Sequence, residues 1–268
     1  FEGDTLASAL LANGQVMVGR SFKYHRPRGL VAAGAEEPNG LVNLGTGDRM
    51  EPNQRATTTR LRDGMEALSQ NRWPTLDLDL LAVNDAVGRF LPAGFYYKTF
   101  MWPRAFWKHV YEPVIRRSAG LGRVPEARDP DRYEHFHAHV DVLVAGGGVA
   151  GLAAALAAGR SGRRVLLLEQ AGWWGGRAGV DGPEIDGLPA EQWIAQAVRA
   201  LQAMPNVRLR LNVQVSGVHD HGYAVACEDR EGQGGPRQRL WRIRARTIVA
   251  ATGAIERPLA FAGNDVPG

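Results

Sequence analysis

The chain has 268 residues, 44% of them hydrophobic and 22% charged, with a net charge of +4 and a pI of about 9.5. These proportions are typical of a globular protein with one large or two ordinary domains, and the small basic excess, without a recognisable nucleic-acid module, does not indicate nucleic-acid binding. The single cysteine, Cys227, excludes an internal disulfide framework and a cysteine-rich metal site, as expected for a reducing, cytoplasmic compartment.

The two ends of the sequence look like internal cuts. The chain begins FEGDTLASALLANG, without an initiator methionine or a signal-peptide pattern, and it ends AFAGNDVPG, a loop-like segment. We therefore expect a fragment, or the ordered part, of a longer polypeptide. The sequence also contains no run of 18 apolar residues, so it predicts no membrane-spanning helix.

Residues 1–89 are predicted to form a first domain of short elements. Asp4 is a suitable N-cap for a helix over residues 5–13. Residues 22–53 are rich in glycine, proline and asparagine, which is typical of loops between short strands. Residues 59–71, TRLRDGMEALSQN, are predicted to form a short helix.

Residues 90–140 form a connecting segment that is dense in aromatic and basic side chains. We expect its aromatics to fill a domain or subunit interface, and substrate binding is the alternative. Residues 127–140 are predicted to be a polar linker. His135, His137 and His139 alternate within it, but no acidic or cysteine partner completes a ligand set, so we predict no metal site.

Residues 141–268 show the pattern of a strand–helix–strand unit that opens an α/β domain, truncated at its C-terminal end. DVLVA predicts a buried strand, VAGLAAALAAGRSG a helix and RVLLLE a second strand. A helix over residues 189–204 is predicted next, followed by strands at VRLRLNVQV, YAVACED and LWRIRA. RTIVAATG is predicted to return to the parallel sheet.

The turn between the first strand and helix of this domain matches the dinucleotide fingerprint G-x-G-x-x-G. Gly146 would make the tight turn, Gly148 would let a pyrophosphate approach the backbone, and Gly151 would allow close helix–strand packing. Val149 and Ala150 open the helix, whose free N–H groups and partial positive charge favour phosphate. The alternative is a glycine-rich turn without a ligand.

Three further features accompany the fingerprint. Glu169 ends the second strand, 18 residues after Gly151, where a carboxylate accepts from ribose hydroxyls and disfavours NADP. The sequences GGR and ATG then follow as they do in two-dinucleotide flavoproteins, so the Rossmann-like domain resembles the FAD/NAD-linked disulfide-reductase type. Both FAD and NAD sites use this fingerprint, so the choice between them stays open. The candidate cofactor-binding residues are Gly146, Gly148, Val149, Ala150, Gly151, Glu169, Gly175, Gly176, Arg177, Thr252, Gly253 and Arg257.

Several long and unusual strings carry a more specific resemblance: DTLASALLANG, GRSFKYHRPRG, AGFYYKTFMWP, RRSAGLG and DVLVAGGGVAGLAAA. They resemble the α-subunits of heterotetrameric sarcosine oxidases. Related amine and imino-acid dehydrogenases, including hydrogen cyanide synthase and the opine and proline dehydrogenase subunits, share the layout. The resemblance implies that a ferredoxin-like β-grasp domain precedes the nucleotide-binding fold.

Some of these relatives carry a [2Fe–2S] cluster in that first domain, with C-x₄-C-x₂-C spacing. Laid on GLVAAGAEEPNGLV, their pattern places Ala32, Glu37 and Gly40 where the cysteines would stand. We therefore expect a scaffold domain without a cluster that serves as an interface and support. The basic string GRSFKYHRPRG leaves two interpretations open, namely contact with a cofactor phosphate and salt bridges to neighbouring carboxylates.

In the resembled family, an amine is oxidised at an FAD on the β-subunit, and electrons pass through an FMN at the α/β interface to oxygen. The α-subunit holds NAD without turning it over. The resemblance thus implies an NAD-binding portion of an α-subunit, with a β-subunit and smaller subunits as partners and a small amine as the substrate of the complex. The alternative is a redox-active FAD-binding subunit of a related dehydrogenase, and the missing cluster ligands favour the first. No catalytic residue is assigned.

Overall fold

The computed structural model divides into two compact units, Phe1–Pro130 together with Ile255–Gly268, and Asp131–Ala254. It describes residues 3–90, 94, 100–120, 122, 124–231, 234–255, 257 and 259–264. Within these residues, no helix combines the length and apolar character needed to span a bilayer.

The first unit consists of short elements. Its strands form two small antiparallel sheets. One pairs β1 (Gly19–Arg20) with β2 (Pro27–Arg28), and in the other β3 (Leu41–Leu44) lies between β4 (Glu51–Arg55) and β5 (Ala67–Ser69). A π-helical turn at Trp107–Tyr111 runs into the last helix. The α-helices are α1 (Leu6–Ala12), α2 (Val83–Ala86) and α3 (Glu112–Ser118).

Two sequence predictions for this unit are wrong. The N-cap of α1 is Thr5 and not Asp4, because Thr5 and Ser8 form a reciprocal capping box in which each side chain accepts from the other's N–H, at 3.2 and 3.0 Å. Residues 59–71 form no helix, since Gly64 adopts a left-handed conformation (φ +71°) and β5 pairs with β3 instead.

The second unit is an α/β fold around a six-stranded sheet. Its elements are β6 (Tyr133–Ala145), α4 (Val149–Arg160), β7 (Val165–Leu168), α5 (Ala178–Asp181), β8 (Glu184–Ile185), β9 (Leu188–Pro189), α6 (Ala190–Gln202), β10 (Val207–Arg210), β11 (Val213–His219), β12 (Tyr223–Asp229) and β13 (Gln238–Ala250). The sheet has the order β10-β7-β6-β13-β12-β11. The strands β10, β7, β6 and β13 run parallel, while β12 and β11 are added antiparallel.

The centre of this sheet is buried on both faces. Val142 and Val144 of β6 pack with Leu152 of α4 and Leu201 of α6, while Leu143 belongs to a separate cluster with the residues of β12 and β13. Because both faces are covered, β6 and β7 are continuously apolar near their carboxyl ends rather than alternating. Both strands end at the loops that form the candidate site.

The strand β6 begins at Tyr133, so the prediction of a polar linker up to residue 140 is wrong. His135, His137 and His139 lie on this strand with exposed side chains, and their backbones pair in parallel with β13. The long partner strand supplies the ladder hydrogen bonds that draw this polar segment into the sheet. Among the described residues, no three His, Cys, Asp or Glu side chains are grouped so that they could hold a metal ion.

VRLRLNVQV does not form one strand. Asn212 adopts a left-handed conformation (φ +58°), which divides the segment into β10 and β11 at opposite edges of the sheet. In contrast, LWRIRA and RTIVA form one continuous strand, β13. The predicted helix over 189–204 corresponds to α6.

Candidate functional site

The fingerprint loop joins the end of β6 to the start of α4, and two of its glycines are required by close packing. Gly146 has φ +108°, and a Cβ there would overlap the carbonyl oxygen of Ala251. A Cβ on Gly151 would overlap the carbonyl oxygen of Gly146. The loop therefore has no room for a side chain at either position.

Gly148 is different, because its surroundings are open. It is the N-cap of α4, with extended backbone, and no described atom lies within 4 Å of the position a Cβ would take. Among the described residues, no side chain caps this helix. The N–H groups of Val149, Ala150 and Gly151 have no intrahelical acceptor, because they lie in the first turn. An uncapped helix start beside open space is a favourable place for an anion, since the helix dipole adds a partial positive charge there.

Glu169 follows β7 directly and is buried, with 7% of its surface exposed. Its Oε2 accepts from the Gly147 N–H at 2.6 Å, and its Oε1 accepts from the Ala171 N–H at 2.7 Å. The carboxylate thus ties the fingerprint loop to the loop after β7. Each oxygen has further acceptor capacity, so hydroxyl groups can still be bound.

A second glycine loop lies against the first. Gly148 and Gly175 form a parallel bridge, and the Gly175 N–H donates to the Gly147 carbonyl at 2.8 Å. Gly176 is close enough that its Cβ would lie 3.4 Å from the Cα of Gly148. Both Gly175 and Gly176 have positive φ, +100° and +57°, which favours glycine. Arg177, the N-cap of α5, is exposed, and its Nη2 lies 3.6 Å from Asp181 Oδ1.

The segment after β13 also reaches the fingerprint loop. The Ala251 N–H donates to the Ala145 carbonyl at 2.8 Å, and the N atom of Thr252 would lie 3.3 Å from a Cβ on Gly146. Gly253 follows with φ +74°. Arg257 is exposed and falls in the other compact unit, so its contact with a cofactor stays a prediction.

Sequence reasoning missed two members of this arrangement. A Cβ on Gly147 would lie 2.6 Å from the ring of Trp174 and 2.9 Å from the Cβ of Glu169, so the middle glycine is also required by packing. Trp174 packs against the core beneath α4 and α6. The run of three consecutive glycines was the available signal, but the fingerprint leaves its second position unspecified.

The basic string of the first unit makes ion pairs within that unit. His25 Nδ1 lies 2.6 Å from the Asp79 carboxylate, whose Oδ2 is also 3.6 Å from Arg20 Nε. Arg26 pairs with Asp85 at 2.7 Å. These contacts agree with the salt-bridge interpretation of GRSFKYHRPRG.

Part of the aromatic segment 90–140 lies outside the described residues, namely 91–93, 95–99, 121 and 123. Among its described aromatics, Trp102 is 82% exposed, and Phe106 and Trp107 are exposed as well. Its role at an interface stays a prediction.

Comparisons with known proteins agree with this two-part layout. Residues 1–72 match the family described as 2Fe-2S iron-sulfur cluster binding domain, and residues 141–221 match the family described as FAD dependent oxidoreductase. Over 100% of its length, the structure resembles L-proline dehydrogenase from P. horikoshii with a TM-score of 0.59, covering 41% of that chain. At 23% identity, this likeness concerns the fold alone.

Two relatives are similar in sequence over the whole chain. Sarcosine oxidase subunit alpha of Rhizobium meliloti (strain 1021) is 53% identical over 274 residues, and that of Corynebacterium sp. (strain U-96) is 37% identical over 279 residues. The chain covers 28% and 24% of the length of these relatives. Along its whole length, the chain is therefore similar to about a quarter of each of these sarcosine oxidase α-subunits.

Proposed function

We propose that the two glycine loops and Glu169 bind an adenine dinucleotide, with its pyrophosphate at the start of α4. The observation that carries this proposal is the combination of an open Gly148, an uncapped helix start and a second glycine loop packed beside them. Glu169 would then accept from ribose hydroxyls, and its bond from the Gly147 N–H supports this proposal by holding the loop beside it.

The occupant we propose is NAD. Its support is the similarity to sarcosine oxidase α-subunits over the whole chain, together with the first unit's lack of cysteine, since Cys227 is the chain's one cysteine. Without a cluster in this chain, an FAD bound here would have no evident route for its electrons. FAD is the second candidate, because residues 141–221 match the FAD dependent oxidoreductase family. Either cofactor, when bound, would contribute an adenosine ribose and a pyrophosphate to this site, and FAD would add redox chemistry.

For the whole protein, we propose a portion of the α-subunit of a cytoplasmic, heteromeric sarcosine oxidase. The complex would oxidise the CH–NH bond of sarcosine, a small amine, and pass two electrons through FAD and FMN on or shared with a β-subunit to oxygen. Smaller subunits would complete the assembly. The chain itself would bind the dinucleotide and organise its partners, and we assign it no catalytic residue.

Identifying the bound molecule tests this proposal. The purified protein is denatured, and the released small molecule is characterised by absorbance and mass. A colourless molecule with the mass of NAD supports the first candidate, and a yellow molecule with the mass of FAD supports the second. If the native protein releases no dinucleotide and takes up neither NAD nor FAD in a binding titration, the assignment of the loop is wrong.

A further inference from the structure

The loop between β2 and β3 folds around one buried carboxylate. Glu37 has 0% of its surface exposed. Its Oε2 accepts from the N–H groups of Val31 and Ala32 at 2.7 and 2.8 Å, and its Oε1 accepts from those of Asn39 and Gly40 at 2.6 and 3.2 Å. Four backbone donors from both sides of the loop therefore converge on a single side chain.

The same loop carries the positions at which a [2Fe–2S] cluster would need thiolates. Ala32, Glu37 and Gly40 have the C-x₄-C-x₂-C spacing, and residues 1–72 match a cluster-binding family. The structure brings the three positions together, because the N–H groups of Ala32 and Gly40 both donate to Glu37. None of the three offers sulfur, and the carboxylate already fills the point of convergence. The residues present therefore do not fit a cluster.

Backbone donors that face inward need an acceptor. In iron–sulfur proteins, hydrogen bonds to the cluster sulfurs are part of how the protein holds and tunes the cluster. A loop of this shape without a cluster would bury unpaired N–H groups, which is strongly unfavourable. A carboxylate supplies negative charge and up to four acceptor sites, which matches the four donors observed.

The rest of the loop is fixed independently of this carboxylate. Arg55 Nε donates to the Glu37 carbonyl at 3.0 Å, and Thr57 Oγ1 donates to the Gly34 carbonyl at 2.7 Å. Asn39 Nδ2 donates to the Gly29 carbonyl at 3.1 Å. These bonds attach the loop to Arg55 of β4, to Thr57 just after this strand, and to the loop's own first residue, so we expect its donors to stay converged if the carboxylate is removed.

We propose that Glu37 is a built-in anion that takes the place of the iron–sulfur cluster, so that this unit folds without metal. Removing the side chain should then expose a small anion-binding site formed by the four N–H groups. The ligand class of that site is a monovalent carboxylate, and formate is the smallest probe of it.

The experiment compares Glu37→Ala with Glu36→Ala in the full chain, since Glu36 carries the same charge on the adjacent residue but does not accept from these four donors. Urea unfolding is followed with sodium formate and, at equal ionic strength, with sodium chloride. We expect Glu37→Ala to lower the urea midpoint by about 1 M or more, and formate to restore at least half of that loss. The native chain and Glu36→Ala should respond equally to the two salts.

Two results with Glu37→Ala would overturn the proposal. One is a Glu37→Ala protein as stable as Glu36→Ala, and the other is a destabilised Glu37→Ala protein that responds to formate no more than to chloride. If Glu37→Ala does not fold, Glu37→Gln provides the test, because its amide NH₂ would face two backbone donors. Native stability of Glu37→Gln would refute the anion role, as would stoichiometric iron in the native protein after incubation with iron and sulfide.

Discussion

Replacing Glu169 by glutamine tests whether this carboxylate holds the glycine loops in addition to its proposed contact with ribose. The side chain is nearly isosteric, so the change removes charge and one acceptor while it keeps volume. In the native protein, Glu169 accepts from the Gly147 and Ala171 N–H groups at 2.6 and 2.7 Å. In the variant, one N–H meets a neutral amide oxygen and the other meets an NH₂ group.

The expected loss in the free energy of unfolding follows from these two hydrogen bonds. Hydrogen bonds to a charged group contribute about 1.5–3 kcal/mol each, and a neutral bond contributes about 0.5–1.5 kcal/mol. One bond is lost and one is weakened, so we expect the free energy of unfolding without nucleotide to fall by about 2–4 kcal/mol. Loss of the charged acceptor for the ribose should raise the Kd for the dinucleotide about 10- to 100-fold.

The assay is urea unfolding of nucleotide-free protein, with a dinucleotide titration under native conditions. Glu184→Gln is the matched control, because it makes the same charge change at an exposed position of the same unit. The control should stay within about 0.5 kcal/mol of the native protein. If Glu169→Gln is as stable as Glu184→Gln, the loop-holding role is wrong, whatever happens to nucleotide affinity.

Three further predictions concern the same unit. Gly148→Ala should abolish dinucleotide retention, because the added methyl group would occupy the space through which a pyrophosphate approaches the backbone. The urea midpoint should not fall, since the methyl group meets open space within the protein. The control is Gly179→Ala, at another glycine with open surroundings, which should retain the dinucleotide. Gly151→Ala should instead lower the yield of folded protein, as its Cβ would overlap a loop carbonyl. Hydrogen bonds from Arg164 lower the pKa of Asp141 from 3.8 to about 2. Because the pKa of Asp141 is lower in the folded than in the unfolded state, the ionised carboxylate stabilises the fold above about pH 4, and this stabilisation is lost as the pH falls toward 2. Asp141→Asn should therefore flatten the pH dependence of the urea midpoint between about pH 4 and pH 2.

The elements of the α/β unit were predictable where the residues that determine them are contiguous in the sequence. The apolar run DVLVA, the three glycines and the apolar helix after them are contiguous in sequence, and they form β6, the fingerprint loop and α4. The predicted helix over 189–204 agrees with α6 within two residues at each end. The candidate loop residues 146–151 and 175–176 were also predictable, since both glycine groups follow strand ends that meet at one edge of a parallel sheet.

The predictions that were wrong concern mainly segments whose structure depends on pairing with a distant part of the chain. YEHFHAHV alternates polar and apolar residues, but its role as the first half of β6 depends on β13, about a hundred residues later in the chain. The left-handed Asn212 that separates β10 from β11 has no strong signal in VRLRLNVQV. In the first unit, Ala67–Ser69 pairs with β3 rather than continuing a helix, because a pairing between distant segments overrides a weak local preference.

Glu37 and Glu169 are both buried glutamates, but they accept from different numbers of backbone N–H groups. Glu37 and Glu169 both accept from backbone N–H groups of glycine-containing loops. Glu37 meets four such donors, which use its acceptor capacity and leave no place for a ligand. Glu169 meets two among the described residues, and the neighbouring Gly148 borders open space. The number of donors on each carboxylate therefore distinguishes the loop that is filled by its own side chain from the loop at which we propose a dinucleotide.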